Sequence, residues 1–159
     1  MTSLTFYGGV NEIGGNKVLV ESDDGNILLD FGRRMGLTGE YFSEFLQVRS
    51  NNALRDFLRL EILPKIDGIY YKPYIDSSAY LMCPVFALNY PSKEAPDYWN
   101  YDGVSPCDPD NLRIDGVFIS HAHFDHIQDV SFLDPQIPIY CTGETKVLAK
   151  AICDVSTMQ

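Results

Sequence analysis

The chain has 159 residues, which is enough for one domain with a hydrophobic core, and its 45% hydrophobic and 21% charged residues are typical of a globular protein rather than a disordered one. The formal net charge is −10, so the surface repels polyanions at long range and counts against a nucleic-acid substrate without excluding one. No apolar run reaches the roughly 18 residues of a membrane span, and the start of the chain lacks the basic stretch of a signal peptide. We therefore expect a cytoplasmic protein without a membrane partner.

Three strands and a glycine-rich loop are predicted at the start of the chain. Leu4–Tyr7 forms the first strand, and Lys17–Glu21 and Asn26–Asp30 form a hairpin whose turn carries the Asp24-Gly25 pair typical of such turns. The loop at residues 8–16 contains four glycines, which allow either a close approach to an ion or ligand or a plain turn between strands. No Gly-Lys-Ser/Thr follows the loop, so it is not a phosphate-binding P-loop.

Helical periodicity replaces the strand pattern between Arg33 and Pro64. Asn51 or Asn52 caps the predicted helix and Pro64 ends it. Apolar and charged positions fall on opposite faces of this helix, with Leu54, Phe57, Leu58 and Ile62 on one face and Arg55, Asp56, Arg59 and Glu61 on the other. Arg33 and Arg34 could meet an anionic substrate, but we expect them to be arginines on a solvated loop.

An insert rich in tyrosine and proline spans about 65–112. Its prolines exclude one long helix, because each removes a donor and blocks the preceding turn, so we expect short strands at Ile69–Tyr71 and Tyr80–Met82. The aromatic side chains could stack the bases of a single-stranded nucleic acid. Only two cations, Lys72 and Lys93, lie among the tyrosines, so we favour a lid or packing cover over the domain, or a subunit contact.

All 3 histidines of the chain lie in one six-residue stretch, directly after the apolar strand predicted at 114–120. Residues two apart in an extended backbone point the same way, so His121 and His123 can bind one ion. Asp125 and His126 follow where the chain turns toward a helix, and their side chains can bind a second ion. Imidazole with carboxylate suits zinc first, with manganese or iron as substitutes. The spacing therefore predicts a dinuclear hydrolytic site.

The remainder of the chain predicts three further elements. These are a short helix at Ile127–Phe132, a strand at Ile137–Cys141 and an amphipathic helix at Gly143–Ile152. The 4 cysteines show no Cys-x-x-Cys pairing, and we expect free thiols in a reducing compartment. No repeat or domain boundary is visible, so residues 1–159 are expected to form a single domain.

The histidine stretch resembles a known family. His-x-His-x-Asp-His after a short apolar strand resembles the second motif of the metallo-β-lactamase fold superfamily. Its members form a four-layer αββα sandwich and use metal-activated water to hydrolyse esters, amides, thioesters or phosphodiesters. The passage from Gly8 to Gly32 is similar to the ribonuclease J and β-CASP branch, whose first motif ends a strand with an aspartate. By this resemblance Asp30 orients ligands and bound water and could shuttle a proton, and the insert departs from the family pattern.

The resemblance also implies a metal site that this chain fills only in part. A complete site would hold two zinc ions, one on His121, His123 and a third histidine, the other on Asp125, His126 and a further histidine. The chain has no fourth histidine, so we expect only the N-terminal half of the sandwich, a mixed or antiparallel sheet with flanking helices. A missing C-terminal portion, a second copy in a homo-oligomer, or a cysteine or Asp134 could supply the rest.

Three hypotheses for the function remain open. The first is a metal-dependent nuclease, active in the full-length protein with nucleic acid as its partner, in which Asp30 and Asp125 are the catalytic carboxylates. The second is a hydrolase of the same fold that acts on a small ester, thioester or lactam, which the acidic net charge favours. The third is an inactive fragment that binds metal.

Overall fold

A computed structural model describes residues 1–43, 46–49, 52–76 and 101–156, apart from the side chains of residues 153, 155 and 156. Five strands form one sheet in chain order: β1 Ser3–Gly8, β2 Lys17–Ser22, β3 Gly25–Leu29, β4 Gly116–Phe118 and β5 Ile139–Tyr140. The first three strands are antiparallel to one another, whereas β4 pairs with β3, and β5 with β4, in parallel. The prediction of a mixed sheet with flanking helices is confirmed.

Helices connect and flank these strands. They are α1 Met35–Tyr41, α2 Ala53–Arg59, α3 Lys72–Ile75, α4 Phe124–Ile127 and α5 Gly143–Ser156, with a 3₁₀ turn at Gln128–Phe132. The hairpin between β2 and β3 forms as predicted, although Ser22 pairs with Gly25, so Asp23 and Asp24 make the turn instead of Asp24-Gly25. Among the described residues no helix is long and apolar enough to cross a membrane.

One face of the sheet carries the hydrophobic core. Leu19, Leu28 and Val117 occupy the middle of β2, β3 and β4, are at most 1% exposed, and belong to the same buried cluster as Phe57 and Leu58 of α2. Alternation along the strands fixes this arrangement, since every second side chain of a strand points to the same face. The helical side of the fold therefore covers the middle of this face, whereas Ile139 of β5, in the same row, is 42% exposed.

The opposite face of the sheet is also apolar but is not covered by the described residues. Strand pairing aligns one side chain from each strand into a continuous row across the sheet, Phe6–Val18–Leu29–Phe118–Tyr140, which we call the apolar row. Phe6 is 59% exposed, Phe118 45% and Tyr140 49%, and the rings of Phe118 and Tyr140 stack at 4.8 Å. A sheet that is apolar on both faces is typical of an inner layer.

The helix predicted before Pro64 forms but differs in detail. It ends at Arg59, five residues before that proline, and Glu61 then adopts a positive φ of 58°. Arg55 was expected on the solvent face and is instead fully buried, where its guanidinium donates to the side chain of Asn52. Asn52 occupies the cap position without a side-chain capping bond, and its side-chain oxygen accepts from Arg55 instead.

The two arginines expected on a solvated loop are held by carboxylates. Arg33 donates to Asp129 at 2.7 Å, and Arg34 donates to Glu12 at 2.9 Å. Asp129 also accepts from the buried ammonium of Lys17 at 3.2 Å. Burial is the main cause that lowers the pKa of Lys17, and the Asp129 carboxylate opposes it. The Asp129 carboxylate thus ties Lys17 of β2 and Arg33, which follows β3, to the segment after the histidine stretch. The expectation of solvated arginines was wrong.

The insert at about 65–112 is described only at its two ends, and the strand predicted at Tyr80–Met82 lies outside the described residues. The strand predicted at Ile69–Tyr71 is reduced to a single bridge between Tyr70 and Leu133. Both described ends contribute buried side chains to the core, namely Ile66, Ile69, Tyr70, Ile75, Val104 and Cys107. These parts of the insert are thus integral to the domain.

Candidate metal centre

The candidate site lies where two parallel strands end side by side. Leu29 is the last residue of β3 and pairs with Phe118, the last residue of β4. The backbone amide of Asp30 donates to the carbonyl of Phe118 at 2.9 Å. Since the carboxyl ends of parallel strands meet at one edge of a sheet, Asp30 and the histidine stretch are brought together there.

The carboxylate of Asp30 joins the two segments. It accepts hydrogen bonds from the Ser120 amide at 2.7 Å and the Ser120 hydroxyl at 2.8 Å, and its Oδ2 lies 2.8 Å from Nδ1 of His126. The side chain is almost buried, and the backbone adopts a φ of 58°, a left-handed conformation that aspartate tolerates better than most residues. Such a conformation persists only where the surroundings stabilise it, and these three contacts do so.

The imidazole of His121 lies in contact with the other two imidazoles. The ring centroids of His121 and His126 are 3.9 Å apart, and those of His121 and His123 are 4.6 Å apart. Asp125 completes the group, with its Oδ2 at 3.4 Å from Nε2 of His126. All four residues predicted as metal ligands are therefore neighbours in the fold.

Hydrogen bonds at Nδ1 determine which ring nitrogens are available. Nδ1 of His126 contacts the Asp30 carboxylate, and Nδ1 of His121 lies 3.0 Å from the Ser120 hydroxyl. An imidazole that donates through Nδ1 presents the lone pair of Nε2 to a ligand. Nε2 of His126 meets the side-chain amide of Asn16 at 3.2 Å in this structure.

The glycine-rich loop is packed directly on the histidine stretch, so it is more than a plain turn. The backbone amides of Gly15 and Asn16 donate to the carbonyl of Asp125 at 3.1 and 3.3 Å. A Cβ at Gly14 would overlap with the side chain of Asp125, and a Cβ at Gly32 would overlap with its carbonyl oxygen. Glycine is required at both positions because two backbones approach closely there. A side chain at Gly14 or at Gly32 would therefore displace Asp125.

The residues present suit a divalent ion in chemistry. Three imidazoles and a carboxylate are ligands that zinc prefers. However, within residues 1–43, 46–49, 52–76 and 101–156 no group of three or more His, Cys, Asp or Glu side chains is arranged so that it could hold one ion. The ligands are thus gathered at one place without converging on a single point.

The substitute ligands considered from the sequence have other environments. The Asp134 carboxylate accepts from the amide of Gln136 at 3.0 Å within its own turn. Cys107 is a buried free thiol of the core, and burial raises its pKa, while Cys141 is free and exposed. Cys83 and the side chain of Cys153 lie outside the described part of the chain. Of the residues that the structure describes, Asp134, Cys107 and Cys141 belong to no group of side chains that could hold an ion.

Two residues of the site were missed by the sequence reasoning. Ser120 links Asp30 to His121, and Asn16 contacts His126. Ser120 precedes the first histidine and could have been found as the polar residue that ends an apolar strand. Asn16 is about a hundred positions away in sequence and only the packing of the glycine-rich loop reveals it.

Comparisons with known proteins agree with this geometry. The family model of the beta-lactamase superfamily domain matches residues 101–157, so the part of the chain that contains all three histidines is similar to that superfamily. The mixed sheet and flanking helices are consistent with a partial β-lactamase-like fold, of a type that carries hydrolases. No curated protein matches the chain. The narrower resemblance to the ribonuclease J and β-CASP branch stays a prediction.

A solved structure of similar fold is much longer than this chain. It is the crystal structure of a protein of unknown function from Enterococcus faecalis V583, which is 23% identical with a TM-score of 0.57. The match covers 97% of this chain and 28% of that one. The likeness concerns the fold alone, and the chain spans little more than a quarter of the length of the protein it resembles.

Proposed function

We propose that this chain carries the N-terminal part of a zinc-dependent hydrolase site, and that the parent protein cleaves phosphodiester bonds in RNA or DNA. The observation that carries the proposal is the cluster at the ends of β3 and β4, where Asp30 and Ser120 hold two imidazoles of the histidine stretch. His121, His123, Asp125 and His126 would be the ligands. When bound, zinc, or manganese or iron in its place, lowers the pKa of a water molecule toward neutrality and polarises the oxygen under attack.

The other residues of the cluster orient these ligands. Asp30 accepts the Nδ1 proton of His126, which fixes the tautomer whose Nε2 is unprotonated and could bind the metal in place of its contact with Asn16. The Ser120 hydroxyl acts in the same way on Nδ1 of His121. The Asp30 carboxylate remains next to the site and can exchange a proton with water there. The glycine-rich loop fixes the backbone of Asp125, so that its carboxylate faces His126.

The choice of a phosphodiester rests on the similarity of residues 8–32 to the ribonuclease J and β-CASP branch. The net charge of −10 weighs against a polyanionic substrate, although bound divalent ions would offset part of it locally. Free thiols at Cys107 and Cys141 fit a reducing compartment, and we place the activity in the cytoplasm.

We also propose that polypeptide outside these 159 residues completes the site. Three observations support it: the chain holds only 3 histidines, the apolar row is exposed, and the chain spans 28% of the similar structure. A second apolar layer that covers the apolar row and carries the remaining ligands would account for all three observations. Sedimentation of the 159-residue chain tests this against a homo-oligomer. A monomer that binds an apolar dye agrees with the proposal, and a dimer whose assembly is lost in Phe118→Lys favours a second copy.

Hydrolysis by the full-length parent tests the reaction itself. With zinc or manganese we expect cleavage of a generic phosphodiester, and its loss in His123→Ala. A lactone and a thioester serve as competing substrates in the same assay. Turnover of the small esters alone would contradict a nuclease, and no turnover of any substrate by a metal-loaded parent would contradict a hydrolase.

A further inference from the structure

An open cleft of about 460 Å³ adjoins the candidate metal centre. Its wall includes two of the proposed ligands, His123 and Asp125. The rest of its lining is apolar and comes from four separate segments of the chain: Ile13, Met35, Ala122, Phe124 and Ile152. The volume is within the range of small-molecule sites, which are mostly apolar with a few polar groups at one side.

The apolar lining is positioned by the same contacts that build the site. Phe124 lies between His123 and Asp125 at the start of α4, and its carbonyl accepts from the Arg33 amide at 3.1 Å. Ile13 belongs to the glycine-rich loop, which is bonded to the carbonyl of Asp125. The cleft and the ligands therefore share one support, and a group bound in the cleft lies next to whatever His123 and Asp125 hold.

The chemistry of the lining limits what the cleft can bind. Among the described residues that line it, the one charged side chain is the carboxylate of Asp125, and none is a lysine or an arginine. Ile13 is 90% exposed, Met35 48% and Phe124 44%, so an apolar occupant would remove substantial apolar surface from water. The ring of Phe124 and the thioether of Met35 both favour contact with an aromatic ring.

We propose that this cleft binds a neutral aromatic group of the substrate, attached beside the bond that is cleaved at the metal centre. This inference rests on the proposed function, since it names the part of the substrate that adjoins the scissile bond. An anionic phosphoryl group would be held at His123 and Asp125 only together with bound metal, whereas the aromatic group binds in the cleft through apolar contact alone. The two parts of the substrate can therefore be tested separately.

Binding of paired probes by the 159-residue chain provides the test. Phenylphosphonate and methylphosphonate differ only in the apolar group, and backbone amide chemical shifts of the zinc-loaded chain report their dissociation constants. We expect phenylphosphonate to bind about tenfold more tightly, in proportion to the apolar surface that a ring removes from water. The same chain without metal should bind the neutral probe 4-methylphenol, with shifts at the lining residues.

Matched variants locate the preference. Ile13→Asn and Met35→Gln should reduce the phenyl preference to less than about threefold and weaken 4-methylphenol binding. Val10→Asn changes an exposed apolar residue of the same loop that does not line the cleft, and it should leave both unchanged. Equal binding of the two phosphonates, or a preference that survives in Ile13→Asn, overturns the inference. Failure of the parent to hydrolyse any substrate, with the phenyl preference intact, refutes the proposed function and leaves the cleft assignment in place.

Discussion

Replacement of Asp30 tests how much the site depends on one carboxylate. Its oxygens accept two hydrogen bonds from Ser120 and contact the imidazole of His126, all within 2.8 Å, and the side chain is 9% exposed. Asp30→Ala removes all three contacts, and their partner groups on Ser120 and His126 lose them at an almost buried position. The backbone must also keep a φ of 58° with a residue that tolerates it poorly.

The expected decrease in the free energy of unfolding follows from these contacts. Each hydrogen bond contributes a net of about 1 kcal/mol, so their loss costs about 3 kcal/mol in the free energy of unfolding. The left-handed conformation adds about 1 kcal/mol for alanine and nothing for glycine, so Asp30→Ala should lose about 4 kcal/mol and Asp30→Gly about 3 kcal/mol. Asp30→Asn keeps an acceptor for the Ser120 amide and tolerates the backbone, and it should lose only about 1–2 kcal/mol.

Urea denaturation of the metal-free protein measures these differences. Asp24→Ala makes the same chemical change as Asp30→Ala at an exposed position of the β2–β3 turn and serves as the control. For a chain of this length, a change of 1 kcal/mol corresponds to a shift of about 2–4 °C in Tm, which gives an independent readout. If the free energy of unfolding of Asp30→Ala lies within about 0.5 kcal/mol of that of the control, the carboxylate does not hold the site together.

Three further predictions concern neighbouring parts of the structure. Burial lowers the pKa of Lys17, so between that lowered value and 10.5 the unfolded chain binds more protons than the folded chain. The free energy of unfolding, measured by urea denaturation, should therefore rise with pH in this window. The same rise should be absent in Lys17→Met. Gly32→Ala forces a methyl group against the Asp125 carbonyl and should destabilise the fold by about 3 kcal/mol, whereas Gly36→Ala in α1, with open space around it, should not; thermal unfolding of both variants measures the contrast. Ser120→Ala should weaken zinc binding about tenfold in a chelator competition assay and Ser120→Thr should restore it; equal affinity in all three proteins would contradict the role of the hydroxyl on His121.

Much of the fold near the site follows from local sequence patterns. The β2–β3 hairpin and the strand before the histidines were predicted because alternating or continuous apolar residues are bounded by glycine and aspartate. The long helix at Gly143–Ser156 has an amphipathic repeat of its own and was also predicted. These elements depend on neighbours in sequence, so the sequence alone is sufficient for them.

Contacts between distant segments could not be predicted in this way. The helical periodicity predicts Arg55 on the charged, solvent-facing side of its helix, yet Arg55 is buried and donates to Asn52. Arg33 is held by Asp129, almost a hundred residues away, so its spacing carried no signal of the ion pair. The position of Asp30 beside His126 was expected from a family resemblance, whereas the linking role of Ser120 emerged only from the pairing of β3 with β4. Long-range packing decides each of these details.

Zinc binding by the 159-residue chain shows whether the histidine stretch is a metal centre. The chain is stripped with a chelator, titrated with zinc against a chromophoric competitor, and compared with a variant in which His121, His123 and His126 are all alanine. We expect the wild-type chain to hold at least one zinc per chain, and the variant to bind at least about a hundredfold more weakly, since structural ligands and their partners dominate such affinity. If the two proteins bind zinc equally, the histidine stretch is not a metal centre.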